Sequence, residues 1–232
     1  IGFYYLIGFD GILYGLVLSF VPYTILIFRE FKETKLDFSL LKYRKGFIAN
    51  NYAMDISGRM GSSIDKLIVA PLLGFALLGN WALALQFYVI LNVIPTIIYK
   101  YLLPQDASGN PNNKLKQTAV LLSVAISVFG IIIFPHVIPN FFPKFIEAVE
   151  AIQILSLTII PGMFSAIYTS KLLGLEKSKF VLISKIIAIS ALIIGFIILG
   201  PIFGIKGLAS VFLLTGIFEA CFLFSISKIK KL

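Results

Sequence analysis

Runs of roughly 20 mostly apolar residues recur along this sequence. Coiled as a helix rising about 1.5 Å per residue, such a run spans a hydrocarbon layer about 30 Å thick. In water the chain would have too little polar surface to cover itself, since 13% of its residues are charged against 59% hydrophobic. In lipid the same surface is stable, provided every backbone N–H and C=O is bonded within its helix. The sequence therefore predicts an all-α membrane protein.

Six segments read as membrane helices by hydropathy: residues 1–28, 77–103, 117–137, 148–171, 180–200 and 207–227. Breakers and charges mark linkers at 29–46, 104–116, 135–144, 174–179 and 201–206. Trp81 and several tyrosines fall near segment ends, the usual place of interfacial anchors. Pro22, Pro95 and Pro161 lie inside segments and should kink them. The first residue is Ile1 rather than Met, which points to a fragment of a longer chain.

Residues 47–70, FIANNYAMDISGRMGSSIDKLIVA, are too polar to score as a span, and the loop charges decide whether they are one. If they cross, the basic residues outside this segment fall on one side except Lys144 and Lys206. If they do not, the 20 basic residues divide evenly between the two sides. Short cytoplasmic loops are enriched in Lys and Arg, so the crossing topology is expected. That gives about seven transmembrane helices, with the N-terminus of the chain outside and the C-terminus cytoplasmic. The net charge of +9 is then a product of the same rule, and no nucleic-acid partner is expected.

On a helical wheel of about 100° per residue with Asn51 at zero, Ser62 falls at about 20°, Asp55 at about 40°, Lys66 at about 60° and Arg59 at about 80°. Asp65 and Gly58 lie just to the other side of zero. The opposite face carries Ile56, Met60, Ile64 and Leu67, suited to lipid or helix packing. An ionisable side chain at membrane depth costs at least about 2.5–3.5 kcal/mol, so a polar stripe there implies water, a ligand or partner charges. One reading makes Asp55–Arg59 an ion pair that fixes helix packing, with Asp65 and Lys66 at the outer interface. The other makes Asn51, Asp55, Arg59, Ser62 and Lys66 the lining of a hydrophilic cavity for a polar or anionic substrate. Asp10 in the first segment and Glu219 in the last are candidate ion-coupling residues, since transporters use such acids. Gln86, Asn92 and Gln153 read as interhelical hydrogen-bonders, and Lys185 and His136 as structural or incidental.

A single cysteine, Cys221, excludes an intrachain disulfide, and one His with one Cys offers no His/Cys metal cluster. There is no G-x-x-x-x-G-K-[ST], H-E-x-x-H or G-x-S-x-G motif. No cofactor and no catalytic residue is expected, and the chain does not read as an enzyme.

The segment SSIDKLIVAPLLGFALLGNWALALQF (62–87) resembles the start of the C-terminal half of Wzx-type polysaccharide flippases, of the multidrug/oligosaccharidyl-lipid/polysaccharide exporter superfamily. Ile64, Asp65, Lys66, Leu73, Gly74, Leu78, Gly79, Trp81 and Ala82 or Ala84 carry the likeness. The helix end at Leu102–Pro104, the turn NFFPKFIEAVEAIQIL (140–155) and the step GIKGLAS (204–210) follow in the family's order. The resemblance implies a larger exporter of two lobes around a central cavity. Residues 1–28 would end the first lobe, 29–46 would be a basic cytoplasmic linker, and 47–232 would form a six-helix second lobe. It implies alternating-access movement of a lipid-linked oligosaccharide across the cell membrane, with membrane lipids and the N-terminal lobe as partners. Arg59, and with it Lys66, would contact the diphosphate. The competing readings are a multidrug or cation antiporter of the same superfamily, an integral membrane enzyme of glycan or lipid metabolism, and a non-transporting scaffold.

Overall fold

The computed structural model describes residues 2–33 and 39–229, and among them every regular element is helical. The chain divides into two compact units, Ile1–Arg44 and Lys45–Leu232.

In the first unit, α1 (Gly2–Ile7) and α2 (Phe9–Glu33) are separated by Gly8, whose φ of 68° only glycine adopts at no cost. Pro22 sits within α2 without ending it. The expected linker carries a short helix of its own, α3 (Ser39–Tyr43).

The second unit contains α4 (Lys45–Leu73), α5 (Phe75–Leu91), α6 (Val93–Ala107), α7 (Asn113–Phe141), α8 (Ala148–Leu157), α9 (Ile159–Gly174) and α10 (Ser178–Ile229). Prolines shape it. Pro95 has no N–H to give the Leu91 carbonyl four residues back, and the chain bends by 46° between α5 and α6. Pro161 withholds the same bond from Leu157, and α8 ends at Thr158, whose N–H bonds Leu155 O at 3.0 Å. Pro135 frees the Ile131 carbonyl, which instead accepts from Gln153 Nε2 on α8 at 3.3 Å. Gln153 is thus the interhelical hydrogen-bonder expected of it.

The expected linkers at 135–144 and 201–206 are corrected. α7 continues through Pro135 and Pro139 to Phe141, and only a 3-10 turn, Pro143–Phe145, separates it from the chain leading into α8. In α10 helix runs through Pro201 and is interrupted at Gly204 alone, with φ 57° and ψ −137°. There the chain folds back, so 178–203 and 205–229 form two antiparallel arms. Gly195 faces Val211, and Gly207 lies against the Leu199 backbone.

α4, α5 with α6, α7, α8 with α9, and the two arms of α10 therefore run alternately up and down. At one end Asn50 Nδ2 donates to Ser178 Oγ at 3.1 Å, and Gly174 abuts the backbone of Asp106. At the other end Leu73 lies by Gly200, Leu77 by Gly204 and Phe145 by Gly79. Trp81, expected at an interface, is instead fully buried in the main core. Phe196 and Phe212, one from each arm of α10, meet it edge-on at 5.7 and 6.4 Å between ring centroids. The correction follows from where α5 begins: the helix starts at Phe75, so Trp81 is well inside it and faces the α10 hairpin.

Among the described residues, four helical stretches are long and apolar enough to cross a membrane, within Asp10–Lys32, Asn113–Phe141, Ala148–Gly174 and Ser178–Lys228. The bent pair α5–α6 makes a fifth.

At the crossing of α7 and α8, a Cβ on Gly130 would strike Ser156 and come within 2.9 Å of Leu91 Cδ1. Gly130→Leu should therefore cost about 1–3 kcal/mol by overpacking. A Cβ on Gly162 meets nothing within 4 Å, so Gly162→Ala should hold or gain stability. Thermal unfolding of both variants in detergent checks the contrast.

Candidate functional site

Both proline-induced breaks in the second unit open on one cavity of about 520 Å³, a size typical of small-molecule sites. Asn92 and Thr158, the residues at the two breaks, line it together with Pro95. α4 contributes Ser57 and Gly58, α6 contributes Thr96 and Tyr99, and α9 contributes Ser165 and Thr169. Tyr88 of α5 and both arms of α10 complete the wall.

Three of the threonine hydroxyls are tied to their own helices. Thr96 donates to Asn92 O at 2.7 Å, Thr158 to Leu155 O at 2.6 Å and Thr215 to Phe212 O at 3.0 Å. Their donors are spent, so they offer lone pairs to the cavity and can accept from a ligand's hydroxyls. Ser165 differs: it is 7% exposed, and its Oγ has no hydrogen-bond partner among the described residues. A buried hydroxyl without a partner is costly and is relieved by water or a ligand.

Charge enters from the α10 hairpin. Lys185 on the first arm and Glu219 on the second both line the cavity, with Lys185 Nζ 2.7 Å from Glu219 Oε1. The lysine side chain is 39% exposed and the glutamate 12%. Glu219 was the sequence's candidate on this helix. Lys185, read as structural or incidental, is the ion-pair partner of that acid. Asn92, expected to join helices, stands at a helix break and lines the cavity.

The remaining candidates sit elsewhere. Asn51 is half-buried, and its Nδ2 donates to Phe47 O at 2.8 Å within α4. Asp55 and Lys66 are exposed and do not line this cavity. Arg59 and Ser62 lie on α4, but their side chains are outside the described residues, as are those of Met60 and Asp65. Asp10 is an exposed residue in the first turn of α2. The packed side of α4 carries Met54, Ile68 and Val69, while Ile56 and Leu67 are exposed. Among the described residues no three His, Cys, Asp or Glu side chains gather as a metal site would need.

Two signals for this cavity were present in the sequence: Glu219 stands inside an apolar segment, and Pro95 and Pro161 interrupt apolar segments. What joins them is the fold. No protein-family model, curated protein or solved structure matches this chain. Fold and cavity alone define its class: a helical bundle whose longest helices are apolar enough to cross a membrane, around an open cavity whose largely apolar lining carries hydroxyls and one Lys–Glu pair.

Proposed function

We propose that this chain is part of a membrane exporter that moves a polar, lipid-linked oligosaccharide across the cell membrane by alternating access. The observation that carries the reading is the cavity: hydroxyls, an unpartnered Ser165 and a Lys185–Glu219 pair are gathered between helices that are otherwise apolar. Polar groups are expensive in such surroundings and are kept where a polar cargo or ion passes. Hydroxyl acceptors suit sugars, and a lysine suits an anionic linkage such as a diphosphate. Residues 47–232 would be the six-helix second lobe of such an exporter. No bond of the substrate is made or broken in this reading.

A cation or drug antiporter of the same superfamily is the second reading, favoured by Glu219 standing with Tyr88, Tyr99 and Phe212 around the same cavity. Transport by the full-length protein in vesicles separates the two. Uptake of a labelled polyprenyl-diphosphate sugar is expected, reduced at least about tenfold by Lys185→Ala, a loss of about 1.4 kcal/mol in cargo stabilisation. Arg59→Ala is expected to reduce it as well if the α4 stripe meets the cargo. Efflux of an organic cation, with no movement of any lipid-linked sugar, would overturn the flippase reading in favour of the antiporter.

A further inference from the structure

A second cavity, of about 910 Å³, lies where the end of α6, the start of α7 and the end of α9 meet. Its chemistry is divided. Val120, Phe164 and Ile167 make part of its lining apolar, and Asn113, Gln117 and Lys171, nearer the start of α7 and the end of α9, make part of it polar. Asp106 stands in the wall with its side chain 3% exposed, and both its oxygens are occupied. Oδ1 takes Lys116 Nζ at 2.6 Å, and Oδ2 accepts from Ser170 Oγ at 2.6 Å. Asp106 and Lys116 thus cancel, and Lys171, exposed and without an ion-pair partner among the described residues, leaves the cavity with one uncompensated positive charge. The N-terminus of α7 adds the positive end of a helix of 29 residues.

We infer that this cavity holds the phosphate headgroup of an anionic phospholipid, with Lys171 as its cation and Phe164, Ile167 and Val120 against the acyl chains. The inference rests on the chain lying in a membrane, but not on what it transports. An apolar lining that ends at a lysine fits an amphiphile, and basic pockets between membrane helices take anionic headgroups. The volume exceeds what a phosphate ion needs, which favours the lipid as the source of that group. The Asp106–Lys116–Ser170 network supports the site without binding the lipid: it locks the end of α6 to α7 and α9 and so fixes the cavity's rim.

Native mass spectrometry of the full-length protein, released from micelles containing equal phosphatidylglycerol and phosphatidylcholine, tests this. Preferential retention of phosphatidylglycerol is expected. Lys171→Ala should lower that retention about fivefold, the worth of one lysine near a charged headgroup, and Lys171→Glu should lower it further. Lys114→Ala, an exposed lysine on the first turn of α7 that does not line the cavity, should leave it unchanged. Equal retention by wild type and Lys171→Glu would overturn the site, and so would an equal loss in Lys114→Ala. Displacement by millimolar inorganic phosphate, with the same dependence on Lys171, would overturn the lipid as the source.

Discussion

Lys185→Met is expected to destabilise the protein by about 2–3 kcal/mol in detergent, and Glu219→Gln by only about 1 kcal/mol. The asymmetry follows from exposure. With the lysine gone, a carboxylate 12% exposed is left unpaired in poor solvent between the α10 arms. With the glutamate neutralised, a lysine 39% exposed can still turn its ammonium into the cavity's water, and the amide can still hydrogen-bond. The full cost of breaking a buried pair, about 3–5 kcal/mol, is reduced here because one partner is partly solvated. Lys185→Met/Glu219→Gln should cost less than the sum of its parts, since neither charge is orphaned, while transport should be reduced as in Lys185→Ala. Thermal unfolding of the four proteins gives the coupling. Effects adding within about 0.5 kcal/mol would show that the two side chains do not support one another.

The second large effect is expected at the tip of the α10 hairpin. A Cβ on Gly207 would press into the Leu199 carbonyl and come within 2.9 Å of its carbon, and backbone yields less readily than a side-chain end. Gly204 adopts φ 57° and ψ −137°, which a β-branched residue does not adopt without strain. Gly207→Ala should cost about 1–3 kcal/mol by overpacking. Gly204→Val should cost at least as much by strain of about 1–3 kcal/mol and by opening the arms around Trp81. Melting in detergent, followed by far-ultraviolet circular dichroism and Trp81 fluorescence, checks both. Gly204→Val that melts as wild type would mean that the turn can form without a left-handed residue.

The helical class was legible because apolar runs need no partner to be recognised, whereas the ends of helices proved harder. Pro135 and Pro201 are breakers by residue type, yet helix runs through both. For Pro135 the reason is visible: the carbonyl it orphans, Ile131 O, is satisfied by Gln153, a residue far along the chain. Trp81 was misread for a related cause, because hydropathy places a residue along a helix but not around it. At the cavity, Glu219 stood out as an acid in an apolar segment. Its partner did not, because Lys185 lies near a segment end where a lysine can reach water. Only a hairpin turning at Gly204 makes the two residues neighbours. On α4 Asp55 and Lys66 are exposed, and so are Ile56 and Leu67, which the wheel sets on the opposite face. The wheel could not show that Ser57 and Gly58 would face the cavity, since that depends on which neighbours α4 packs against.

The near absence of a loop between the two arms of α10 bears on how the chain is inserted. A hairpin closed at a single non-helical residue has almost no hydrophilic segment to carry across the bilayer. Around the tip, from 197 to 210, Lys206 is the only charged residue, and it meets Glu150 Oε2 at 2.9 Å once the bundle is assembled. In the proposed exporter, carrying this tip across the bilayer would cost little more than the transfer of one ammonium, about 2.5–3.5 kcal/mol on insertion scales, with Lys185 and Glu219 farther along the arms. Added charges at the tip would burden biogenesis before they touched any contact of the finished fold.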